Sequence, residues 1–161
     1  MARLKKASGN TMSLEHVRKA IAREFLVSGG LLSSASALFT AAESEVSEPE
    51  RIGGRDVVRI GDDGEGDGRY FVDCATGAVL YVEAYASTEF HVSDSPQSFV
   101  RCLEEFERAT SGASGDADPD EWTEIAESLE RAIMAIDPSA LREDPGFWHS
   151  LLFDVANGDY A

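Results

Sequence analysis

Between residues 54 and 92 apolar residues recur at every second position, in short runs joined by tight turns. No other feature constrains the fold as strongly. In the run 55–60, Val58 and Ile60 share a face and the arginines take the other. In 69–74, Tyr70, Val72 and Cys74 share a face. The turn Ala75-Thr76-Gly77 leads into a third run at 78–85, and a fourth, 87–92, follows closely. Parallel neighbours need a crossover of about a dozen residues or more. None of these connections is that long, so the runs predict an antiparallel meander.

Helical spacing governs the chain on either side of the meander. Ser13 caps a predicted helix carrying Leu14, Val17, Ile21 and Phe25, which Gly29-Gly30 stops. Leu31, Leu32, Leu38 and Phe39 then suggest core contact, and 43–50 reads as an exposed acidic loop. Ser95 followed by Pro96 opens another helix. Phe99, Cys102, Leu103 and Phe106 form its apolar stripe, and Arg101, Glu104, Glu105 and Glu107 point outward. After a small-residue linker at 110–118, Asp118 and Glu121 make a capping box ahead of Trp122, Ala126, Leu129, Ile133 and Ile136. Asp137-Pro138 ends that helix, and a last one is predicted over 146–157 through Phe147, Leu151 and Val155. Strands and helices are segregated, so the expected class is α+β: an antiparallel-rich mixed sheet of about four to six strands with helices packed around it. At 161 residues the chain has the size of one ordinary domain. Residues 1–12 are expected to be a flexible basic arm and 13–161 a single domain.

The charge is lopsided. Thirty acids face fourteen bases, a net of −16. Residues 1–23 hold six of the bases and one acid, so 24–161 carries eight bases, twenty-nine acids and a net of −21. Such a field repels phosphate backbones and anionic membranes and attracts basic partners, which argues against direct nucleic-acid binding. The uncharged stretch 25–42 superficially resembles a signal peptide or short span. Its four serines, one threonine and Gly29-Gly30 oppose that reading, and a cytoplasmic location is expected.

The search for chemistry finds little. From Asp63, the run Asp-Gly-Glu-Gly-Asp-Gly imitates the opening of a calcium loop, with Asp63, Glu65 and Asp67 at positions 1, 3 and 5 and Gly68 at position 6. Position 12, which needs a bidentate glutamate, is Cys74, and the flanks read as strands. A mobile hairpin loop is therefore the favoured reading, and no metal or other cofactor is assigned. The loop also lacks the lysine and hydroxyl of a phosphate cradle. His16, His91 and His149 are scattered. His91 is expected to face outward beside Glu89 as a surface pair, with an acid–base role the less favoured alternative. Cys74 and Cys102 fall on apolar faces and read as inert buried thiols. Trp122 and Trp148 read as packing residues. On these grounds a binding module outranks an enzyme.

One stretch resembles a known family. Val58-Arg59-Ile60-Gly61-Asp62-Asp63-Gly64-Glu65-Gly66, then Arg69-Tyr70-Phe71-Val72-Asp73 and Thr76-Gly77-Ala78-Val79, is similar in order and content to the SUKH superfamily of bacterial immunity proteins. The segment 92–100, with Ser95-Pro96 and Phe99, resembles that family's next element. Pro145-Gly146-Phe147-Trp148 with Gly158-Asp159-Tyr160 resembles the tail of its fourth group. Phe25-Leu26 and Gly30-Leu31 fit the entry, with Leu32 where that group usually has proline. The resemblance spans most of 25–160 and omits 1–12 and 110–118. It implies an antitoxin that neutralises a cognate polymorphic toxin, a nuclease or deaminase, by binding it. The alternative is a non-enzymatic regulatory scaffold of the same fold. It transfers no catalytic residue. A toxin that reaches phosphates presents a basic surface, so the acidic clusters are the expected interface. Its candidates are Asp62, Asp63, Glu65 and Asp67 in the loop, and Glu104 and Glu105 on the helix. Tyr81 and Tyr85, expected on the outer sheet face, would be the anchors.

Overall fold

The computed structural model describes residues 24–26, 36–42, 48–113 and 115–160. The basic arm at 1–12, the capped start of the first helix with His16, the stop at Gly29-Gly30, Leu31, Leu32 and most of the 43–50 loop lie outside the described residues. Glu24, Phe25 and Leu26 are helical. The strands are β1 (Thr40–Ala41), β2 (Glu50–Ile52), β3 (Arg55–Asp62), β4 (Gly68–Asp73), β5 (Val79–Glu83) and β6 (Glu89–Ser93). They are followed by α1 (Pro96–Ser111), α2 (Pro119–Ile136), a 3-10 turn (Pro138–Leu141) and α3 (Phe147–Ala156).

The six strands form one sheet in the order β1-β3-β4-β5-β6, and β2 also pairs with β3. Every described pairing is antiparallel. The meander is thus as expected from the short connections. β1 and β2 are the additions: at two and three residues they are too short to display a period. Glu50, expected in the exposed acidic loop, belongs to β2 and pairs opposite Val57.

Strand boundaries differ from the sequence reading by one or two residues. The third strand ends at Glu83, so Tyr85 sits in the turn and not on the sheet. Ser87, expected to open the fourth strand, instead has φ 52° in the same connection. The apolar pattern of β3 also differs, because Val57 and Val58 are both buried on successive positions. Val57, Phe71 and Leu80 make a small cluster with Ile52 and Val82. Ile60, Tyr70, Val72, Val79 and Val92 join the main core with the helices. The sheet therefore carries apolar side chains on both faces, which a single alternating stripe does not convey. A register shift between Arg59 and Gly61 bends β3 beside β4. A side chain at Gly61 would collide with the Phe39 ring, so glycine lets that ring close the core.

The helices behave as their caps predict. Ser95 accepts the N–H of Ser98 and opens α1, and Phe99, Cys102, Leu103 and Phe106 are buried. Asp118 accepts the N–H of Glu121 and opens α2, which buries Trp122, Ala126, Leu129 and Ile133. In α3 the core stripe is Trp148, Leu152 and Val155, one residue after the expected Phe147 and Leu151, both of which are only half-buried.

The segment after α2 ties the helical layer to β6. Asp137, only 3% exposed, accepts the Ser93 hydroxyl, the Asp94 N–H at 2.8 Å, and both the N–H and hydroxyl of Ser139 at 3.0 and 2.6 Å. Farther on, a Glu143 carboxylate oxygen accepts the N–H of His91 at 3.3 Å. The Trp148 indole donates to the carbonyl of Val92 at 3.0 Å.

Candidate functional site

The acidic loop between β3 and β4 is wound around one carboxylate. Asp63 Oδ1 accepts the N–H groups of Glu65 (3.2 Å), Gly66 (2.6 Å) and Asp67 (2.9 Å), and Oδ2 accepts the Tyr81 hydroxyl at 2.7 Å. Gly66 takes φ 81°, which lets the backbone turn its donors inward. The loop does join a hairpin, and four hydrogen bonds to one side chain shape it. Among the described residues no group of three or more His, Cys, Asp or Glu side chains is placed to hold a metal ion.

The other candidate acids divide into engaged and free. Asp62 is held by the Arg59 guanidinium, with Nε to Oδ1 at 3.1 Å. Glu105 pairs with Arg108 at 2.7 Å, and Glu104 is exposed on α1. Glu65 and Asp67 project from the loop into solvent. Glu107 does work that its outward assignment did not anticipate. It accepts the Ser36 hydroxyl at 2.8 Å and the Ala37 N–H at 2.6 Å, pinning the 36–39 turn against α1.

Tyr81 is not on the outer sheet face. It lies opposite Tyr70 in the β4–β5 register, and its ring centroid is 5.0 Å from Tyr70 and 5.3 Å from Phe147, on the helix-facing side. Gly68 makes this possible, since a side chain there would overlap the Tyr81 ring. Tyr85 is 90% exposed at the β5–β6 turn, away from the sheet face expected for it.

Around Tyr81 opens a cleft of about 360 Å³. Its floor is Tyr70, Tyr81, Phe90, Phe147, Leu151 and Tyr160, and Asp63, Glu65 and Glu83 stand around it. Among the described residues no Lys, Arg or His lines it. The electrostatics follow from this lining. Burial, the Asp63 hydrogen bond and the charges of Asp63, Asp67 and Glu83 push the Tyr81 hydroxyl far up. Burial and then Asp154, Asp159 and Glu65 raise Tyr160. Burial, the larger cause in both, opposes charge of either sign, and the carboxylates add a second opposition that falls on anions alone. Of the cleft residues, the sequence marks Asp63, Glu65 and Tyr81 as interface candidates, Tyr70, Phe147 and Leu151 as apolar-face residues and Tyr160 only as part of the family-like tail; Glu83 and Phe90 are not singled out. The shared face of Val79 and Tyr81 in a period-two run, and a Phe147/Leu151 stripe that the core does not fully use, are the signals that point to it.

His91 does not form the expected surface pair. It is half-buried, with Nε2 2.8 Å from Ser139 Oγ and 3.8 Å from Asp94, while Glu89 lies 3.8 Å from Arg55. The Ser139 hydroxyl also lies 2.6 Å from Asp137 Oδ1, so the imidazole, the serine and the buried carboxylate form one chain of polar contacts. His149 Nε2 meets the carbonyl of Leu141 at 3.2 Å, a link between the 3-10 turn and α3. Cys74 and Cys102 are buried as expected. Burial, reinforced by the Asp137 charge, raises the Cys102 thiol to about 12.

These features define an α+β protein whose described surface offers an acid-rimmed aromatic cleft. A model of the SUKH-4 immunity protein family matches residues 22–154. The chain belongs to that family. Membership supports an immunity role, which implies binding of a cognate toxin; such proteins are in general non-enzymatic. No curated protein and no solved structure matches the chain. Among the described residues no helix is long and apolar enough to cross a membrane.

Proposed function

We propose that this chain neutralises a polymorphic toxin, a nuclease or deaminase, by direct one-to-one binding in the cytoplasm, with residues 13–161 acting as a single domain. The observation that carries this reading is the composition of one end of the molecule. There the β3–β4 loop presents exposed Glu65 and Asp67 beside an aromatic cleft that, among the described residues, no base lines. A toxin active on nucleic acid must display cations, and this end is their electrostatic complement. Glu104 on α1 extends the field, while Asp62, Asp63 and Glu105 are already committed to internal partners and act mainly through their charge. Tyr85 is an exposed aromatic available to the interface rim.

Co-expression with the product of the adjacent toxin gene is the direct test. Rescue of growth and a one-to-one complex by light scattering are expected. Its association rate should fall by about ten-fold or more from low to high salt. A rate that ignores salt with a basic toxin overturns the electrostatic account, and absence of any complex overturns the function.

A further inference from the structure

We propose that the cleft between the β3–β4 loop and α3 is the seat for one arginine side chain of the toxin. This deepens the immunity reading and rests on it. Glu65 and Glu83 border the cleft, and neither makes an ion pair among the described residues. Asp63 adds a third negative charge, fixed in place by the Tyr81 hydroxyl and three backbone N–H groups. Below them, Tyr81, Phe147 and Tyr160 offer ring surface while remaining only partly buried. An apolar side chain would bury those rings but press against Glu65 and Glu83 without offering either a partner. An anion would meet three like charges. A cation satisfies both parts of the lining, because aromatic faces attract positive charge and carboxylates bind it directly.

The geometry favours arginine over lysine. A guanidinium is flat and can stack on a ring while its edge donates to carboxylates on two sides. At about 360 Å³ the cleft admits one such side chain with its stem. An arginine already poised to contact phosphate would be withdrawn from that role when seated here, so binding and neutralisation would be one event.

The test uses the full chain and N-acetyl-arginine methylamide as the probe, followed by NMR, with the uncharged citrulline analogue as control. Saturable shifts at Tyr81, Phe147 and Tyr160 are expected, weaker by about ten-fold or more for citrulline. The pair E65Q and E83Q should weaken binding similarly, whereas E124Q with E127Q on the exposed face of α2 should not. Equal response to citrulline, or none at the cleft, overturns the proposal. If the probe binds only after Arg3, Lys5 and Lys6 are replaced by glutamine, the chain's own arm is the occupant and the proposal fails. In the toxin complex, E65Q with E83Q should speed dissociation by about ten-fold. A one-to-one complex indifferent to these substitutions keeps the immunity reading and removes the arginine seat. Arginine binding without any toxin complex removes the immunity reading, and with it the toxin as the source of the arginine.

Discussion

Asp137→Ala removes the acceptor on which β6, the start of α1 and the 3-10 turn converge. Four donors reach this carboxylate: the hydroxyls of Ser93 and Ser139 and the N–H groups of Asp94 and Ser139. Alanine leaves all four without it at a site only 3% exposed. The hydroxyls can rotate toward other acceptors and the amide of Asp94, an exposed residue, can turn to water, but the buried Ser139 N–H cannot, and a stranded buried donor costs about 1–3 kcal/mol. Loss of the charge-assisted bonds brings the expected destabilisation to about 3–5 kcal/mol, as for removal of one member of a buried charged network. Domains of this size have about 5–15 kcal/mol in total, so the variant should unfold at a much lower urea concentration. Asp137→Asn keeps one acceptor oxygen and should lose about 2 kcal/mol. Tryptophan fluorescence reads the midpoint, and the slope should stay unchanged. Acid supplies a second check. Burial alone would raise the Asp137 carboxyl, but the hydroxyls of Ser139 and Ser93 and the N–H groups of Asp94 and Ser139 outweigh it and hold it below the ordinary value. A carboxyl depressed by folding contributes stability that is complete above its unfolded-state pKa and is lost as pH falls through the folded one. The gap between wild type and Asp137→Asn should therefore narrow in acid. An alanine variant within about 1 kcal/mol of wild type, or a gap that widens in acid, refutes this account.

Two further outcomes are expected. Gly68→Ala should cost about 1–3 kcal/mol by displacing the Tyr81 ring, and should release the Asp63 loop, visible as faster amide exchange at Glu65, Gly66 and Asp67; unchanged exchange contradicts it. Cys102, raised to about 12 by burial and the neighbouring Asp137 charge, should resist iodoacetamide at neutral pH until the chain unfolds, and labelling at the rate of a free thiol rules this out.

The meander and the three helices after it were legible because their signals are local. Short glycine turns fix antiparallel neighbours, and Ser95, Asp118 and Asp137 mark helix ends through hydrogen bonds to residues two or three positions away. The bonds that shape the site span longer distances. Tyr81 reaches back to Asp63, Tyr70 donates to the carbonyl of Leu38, and Glu107 holds Ser36. No spacing rule announces such contacts. In the sequence the acid–glycine run therefore presents only charges for a partner, whereas in the fold much of its chemistry is directed inward. The placement of Tyr81 failed for a related reason: its face depends on register with β4, and Val79 was the only nearby residue that revealed it. His91 was misread because the sequence contains no sign that Ser139 would arrive beside it.

The seam between β6 and the segment after the 3-10 turn has a consequence for recognition. The N–H of His91 and the carbonyl of Val92 are taken up by a carboxylate and an indole from the same chain, so an extended peptide from outside finds that stretch of ladder already occupied. At this edge, specificity is left to side chains projecting from loops and helices, not to borrowed backbone. A surface of that kind can be retargeted by one or two substitutions while the scaffold beneath it stays intact.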